Sequence, residues 1–193
     1  PEYVYQIEKE RAGSYQIEVL AKSKEHEVPI TLRFQELRDE QMQPAHGELP
    51  FFLQENTVIQ FLQYPYEQVV AENFVEILEK MELINDLSCY EEIYGILKKE
   101  ALDGRKVEQQ IIEIGTKREL FFGKDRLDTV LHYKDYTYMK RKWTAYLKRE
   151  RKKEPDWVEV MTLLEAFFPP VWRAIIRDEI FIGDWMPELC RFL

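Results

Sequence analysis

The sequence predicts an α+β fold: a small mixed or antiparallel β-sheet followed by a C-terminal helical bundle. Three observations predict it. Within residues 1–64, "EYVYQIEKE" and "SYQIEVLA" alternate apolar and polar side chains with a period of two. From residue 65 the apolar positions recur at helical spacing. Prolines at 155, 169, 170 and 187 then divide the second part into helix-sized pieces. The expected division is a β-rich part, 1–64, and a helical part, 65–193.

Taken in order, "EYVYQIEKE" and "SYQIEVLA" read as two strands joined by "RAGS", where Gly13 gives the turn its freedom, so the pair forms a hairpin. "VPITLRF" is a third strand, and Pro29 near its start suits an edge. Residues 35–56 carry Pro44, Gly47 and Pro50 and read as a long loop; "TVIQFLQY" is a fourth strand. Pro65 suits the first position of a helix, where its missing N–H costs nothing. Helices are expected at 65–83, 87–101, 104–120, 134–152, 155–168 and 170–181, with a short one near 187–192. There is no tandem repeat and no low-complexity run.

The 193 residues suffice for one large domain or two small ones with a real core. The composition, 45% hydrophobic and 33% charged, is that of a globular chain, and no apolar run reaches the length of a membrane span. "PEYVYQIEKE" has neither the basic nor the apolar region of a signal peptide, and a start at Pro1 suggests a trimmed or partial chain. Two isolated thiols, Cys89 and Cys190, point to a reducing compartment, the cytoplasm.

Several chemistries lack their motifs. His26, His46 and His132 are scattered, and no zinc spacing is present. There is no nucleophile elbow, no Walker loop and no dinucleotide fingerprint among the seven dispersed glycines. Gly13-Ser14 followed by Glu25-x-Glu27 has the outline of a phosphate turn and a metal-holding carboxylate pair. The ten residues between them read as a strand rather than a helix, which favours a hairpin turn and a solvated loop.

"KRKWTAYLKRERKK", 140–153, is a positive signal: eight Lys or Arg and one acid, in a chain of net charge −9. Lys140, Arg141, Lys148, Arg149, Arg151 and Lys152 are candidate nucleic-acid contacts, because clustered cations pair with phosphates. Tyr138, Trp143 and Tyr146 interleave with them. Exposed aromatics stack on bases, but Trp143 and Tyr146 share an apolar edge with Met139 and Leu147 and are expected in the core.

In "YPYEQVVAENFVEIL", Tyr66, Val70, Phe74, Ile77, Leu78 and Met81 gather on one stripe. Glu67 falls inside it, Asn73 on its edge, and Glu72 faces away. Two polar residues on a core-facing stripe invite a functional reading. Helix capping accounts for Glu67 without one, and a hydrogen bond to loop backbone does so for Asn73.

The stretch "VIQFLQYPYEQVVAENFVEIL" resembles the strand and helix of the bacterial AbiEii/AbiGii-type toxin nucleotidyltransferases. Glu67 and Ala71-Glu72 match that family's pattern, and Asn73 stands where it has lysine. "LSCYEEIYGIL" is similar to a later family segment through Glu92, with Ser88 and Cys89 in place of its Arg-Asp. "VEQQIIEIGTKREL" matches another through Thr116, Lys117 and Arg118. "KWTAYLKR" and "WVEVMTLLEAFFPPVW" resemble its closing helices, and "SYQIEVLA" places Glu18 at an acidic strand position.

The resemblance implies a nucleotidyltransferase-like fold and transfer of a nucleotide from an NTP, with Mg²⁺, to an RNA such as tRNA. Glu18, Glu67 and Asn73 become the candidate catalytic residues. It also implies a cytoplasmic bacterial toxin of an abortive-infection system with a cognate antitoxin. The departures are large. The family's glycine turn and its paired aspartates have no counterpart, and Asn73 carries no charge. Phosphoryl transfer rests on positioning and electrostatics, so these losses predict little catalytic power. Either the chain is part of a longer enzyme, or it is a divergent member reduced to binding RNA or an antitoxin.

Overall fold

A computed structural model describes residues 2–11, 14–23, 26–35, 45–50 and 58–193. The chain forms two compact units, Pro1–Gln43 and Pro44–Leu193. In the first, β1 (Glu2–Arg11), β2 (Ser14–Ser23) and β3 (His26–Gln35) make an antiparallel sheet in chain order. The register sets apolar residues opposite one another, as in Tyr5–Val19–Ile30 and Ile7–Ile17–Leu32. Such cross-strand rows are what specify a pairing. Pro29 lies in β3, at the edge of this sheet, the position to which proline is suited. Gly13 and Glu25 lie outside the described residues; the segment between them is strand β2, as its alternation predicts.

The second unit opens with β4 (Ala45–Pro50) paired antiparallel to β5 (Val58–Gln63). The expected loop at 35–56 therefore contains a strand, while 36–44 and 51–57 lie outside the described residues. The change from strand to helix comes between Gln63 and Tyr66, inside this second unit. Six helices follow: α1 (Tyr66–Lys80), α2 (Ser88–Leu97), α3 (Gly104–Lys117), α4 (Lys124–His132), α5 (Thr137–Arg149) and α6 (Trp157–Arg177). The α+β class is thus observed, with antiparallel sheets throughout the described residues.

Two helices expected on either side of Pro169–Pro170 are one helix, α6. The prolines forgo backbone hydrogen bonds, but Phe167, Phe168, Val171 and Trp172 around them are all buried. Burial of that continuous face outweighs the local cost. Asp156 starts α6 with a reciprocal capping box to Glu159. The short helix expected near 187–192 is replaced by β8 (Arg191–Phe192), which joins β7 (Asp184–Met186) and β6 (Leu102–Asp103) in a small antiparallel sheet.

The stripe of α1 faces the core as its spacing requires: Val70, Phe74, Ile77 and Leu78 are buried, and Phe74 lies flat on Phe168 with centroids 3.6 Å apart. At the other end Phe167, Phe181, Trp185 and Phe192 form an aromatic cluster that holds the C-terminal sheet. Gly104 makes this docking possible. A Cβ there would come within 2.5 Å of the Gly183 carbonyl oxygen, which accepts the Gly104 N–H at 3.0 Å.

All four tryptophans are buried, and each indole N–H donates to a backbone carbonyl. Trp143 reaches Pro155 (2.9 Å), Trp157 reaches Tyr133 (2.8 Å), Trp172 reaches Gly123 (3.3 Å) and Trp185 reaches Leu97 (2.8 Å). Each ring fills core space while its polar edge ties down an irregular segment or a helix end. Among the described residues no helix is long and apolar enough to cross a membrane.

Candidate functional site

The residues singled out on α1 go to different neighbours. Glu67, in the first turn, does not cap its own helix; Pro65 stands at the N-cap without a side-chain bond. Its Oε1 accepts the N–H of Asp103 at 3.3 Å. Asp103 in turn caps α3, its carboxylate accepting from the N–H groups of Arg105 and Lys106. Asn73 donates from Nδ2 to Glu92 Oε2 on α2 at 2.9 Å. It is therefore a side-chain tie between two helices rather than a bond to loop backbone. Glu72 forms an ion pair with Arg118 just beyond α3. Glu18 lies in β2, between Gln6 and Thr31 in the register, in the first unit. Glu67 and Asn73 are thus engaged with different helices and not brought to one point.

Among the described residues no group of three or more His, Cys, Asp or Glu side chains is placed to hold a metal ion. Asn73 offers an amide tied to Glu92 rather than a cation for a phosphate. Cys89 is buried, and its thiol donates to the Asp86 carbonyl at 3.2 Å. Burial, with nearby carboxylates, pushes its pKa far above the ordinary thiol value, so it is a packed thiol and not a nucleophile.

The basic run sorts into bound and free cations. As its spacing predicts, Met139, Trp143, Tyr146 and Leu147 are buried. Lys142 donates to the carbonyls of Glu82 (3.1 Å) and Ile84, closing a 3₁₀ turn at Met81–Leu83. Lys152 pairs with Glu91 at 2.6 Å, Arg149 with Glu150 at 3.0 Å, and Lys140 with Asp135 at 3.6 Å. The side chains of Arg141, Lys148, Arg151 and Lys153 are exposed and form neither hydrogen bond nor ion pair among the described residues. The helix ends at Arg149, short of the expected 152, so Arg151 and Lys152 belong to its C-terminal turn. On α5 itself Tyr138, Arg141, Ala145 and Lys148 fall within an arc of about 80° and are all exposed.

One carboxylate escaped the sequence reading. Glu108 is 4% exposed; its Oε2 accepts the Phe181 N–H at 3.0 Å, and its Oε1 is buried without a partner. It lies beside Arg105, Asp178 and Ile180 on a cavity of about 210 Å³. The signal was present: Gly104, Ile111 and Gly115, all buried, fall within about 60° of it on α3.

Compared with protein-family models, curated proteins and solved structures, the chain matches none.

Proposed function

We propose that the helical part of this chain binds RNA through the outward face of α5 and the turn that follows it. One observation carries the reading: Arg141, Lys148, Arg151 and Lys153 stand in solvent without acidic partners, in a chain of net charge −9. Unpaired cations gathered on one surface of an acidic protein attract a polyanion locally while the rest repels it, which favours a defined orientation. RNA, rather than nucleic acid at large, follows from the family resemblance.

Filter binding of a tRNA pool in 50 and 200 mM KCl tests this. Four phosphates neutralised would weaken binding roughly 50-fold over that range. Changing Arg141, Lys148, Arg151 and Lys153 together to Gln should abolish most of the affinity and flatten the salt dependence. Equal binding by that variant would refute the proposal.

A second reading is supported by the passage from β5 straight into α1 with Glu67 in its first turn. On it, the chain is a divergent nucleotidyltransferase-superfamily protein using Mg²⁺ and an NTP, with a cognate antitoxin as partner. Incubation with each labelled NTP, Mg²⁺ and tRNA distinguishes the two. Transfer of label that Glu18→Ala removes supports the enzyme; binding without transfer by any NTP supports the first reading.

A further inference from the structure

We infer that the α5 surface takes a single strand rather than a duplex, with Tyr136 and Tyr138 as the platform for its bases; this rests on reading α5 as an RNA-binding face. Tyr136 is the N-cap residue of α5 and Tyr138 lies in its first turn, and each is 47% exposed. Trp143 and Tyr146, the other aromatics of the run, are buried and offer no face to a ligand.

The two exposed rings lie 5.8 Å apart at a 47° tilt. They touch without stacking flat, so neither covers the other's face. Lys142 Nζ sits 5.2 Å from the Tyr138 centroid. That ammonium is already held by the Glu82 and Ile84 carbonyls, so it supports the ring from the protein side. Tyr133 flanks Tyr136 with centroids 6.0 Å apart. Both rings are thus backed by the protein and open to solvent.

Cations continue from this platform. Tyr138, Arg141 and Lys148 share one exposed stripe, and the helical rise puts Lys148 about 15 Å along the axis from Tyr138. Arg151 and Lys153 follow in the exposed turn past the helix end. An aromatic face followed by a line of positive charge matches a strand whose bases are splayed and whose phosphates run on. In a duplex the base faces are already stacked on each other. Only phosphates, sugars and edges are then offered, and the tyrosines gain nothing.

Mobility-shift titrations with a 12-nucleotide oligouridylate, its abasic counterpart and a 12-base-pair RNA duplex, all at one salt concentration, test this. The single strand should bind roughly 100-fold tighter than the duplex or the abasic strand, about 10-fold for each base stacked on a tyrosine. Tyr138→Leu and Tyr136→Leu should each cost about 10-fold on the single strand and leave the duplex unchanged. Tyr138→Phe should keep the affinity, since it keeps the ring. The Arg141→Gln, Lys148→Gln double variant should weaken all three ligands. Equal single-strand and duplex affinity, or no effect of Tyr138→Leu where the Gln variant does weaken binding, overturns the inference and leaves the RNA-binding face standing. No binding of any ligand by the unaltered protein overturns both.

Discussion

Tyr133 and Glu82 show how one hydrogen bond makes stability depend on pH. The Tyr133 O–H donates to Glu82 Oε2 at 2.7 Å. That bond, first among its causes, holds the Glu82 carboxyl below the ordinary glutamate range. A carboxyl lowered by folding contributes stability above its unfolded pKa, and that stability is lost as pH falls through the folded value. Tyr133 behaves oppositely. Burial, and then the bond to Glu82, raises its phenol well above the usual value, so its contribution holds at neutral pH and fails only in strong alkali. Tyr133→Phe should therefore lower the urea midpoint at pH 7, and the gap from the parent protein should narrow below pH 4. Parallel curves across that range would show that the bond does not form in solution.

At the scale of elements, helix ends explain much of what the sequence concealed. α3 and α5 close with the same turn, and the residue in the left-handed region is Glu119 in one (φ 54°) and Arg151 in the other (φ 57°). Leu120 N–H reaches back to Gly115 and Lys152 N–H to Leu147, as this motif requires. Glycine usually marks such an end; here it does not, so the expected helices ran three residues long. Replacing Glu119 by Gly should add about 1 kcal/mol by relieving the left-handed backbone, as denaturant melts would show. The stripes of α1 and α5 were legible, because an apolar face at period 3.6 reads directly. Helix α4 was missed, since only Leu127 and Val130 of its nine residues are buried and they make too short a pattern. β6, β7 and β8 are two or three residues each, too short for a local pattern, and β6 is set by a partner about 80 residues along the chain. Of the candidate site, the exposed cations were legible as a run; that Lys152 is paired was not, because its partner Glu91 lies 61 residues before it.

For the whole molecule, the second unit, Pro44–Leu193, has a core of its own that runs from Val70 to Trp185. A polypeptide of residues 44–193 should then fold alone and unfold in one cooperative transition, as near-ultraviolet circular dichroism would show. Loss of that signal would mean that residues 1–43 are needed for packing. Within the unit, the return of the chain after α6 depends on the closeness of Gly104 to Gly183. Gly104→Ala should cost about 1–3 kcal/mol by forcing the two backbones apart. The C-terminal sheet should open first, seen as faster hydrogen exchange at Asp184 and Leu193, whose N–H groups bond each other's carbonyls.

Each tryptophan edge grips a different part of the backbone, with partners at Leu97, Gly123, Tyr133 and Pro155. The protein therefore carries four native optical probes at four separate places. Variants that keep one indole and replace the other three by Phe would emit from a single known position. The order in which their emission shifts to longer wavelength on heating would report which grip is released first.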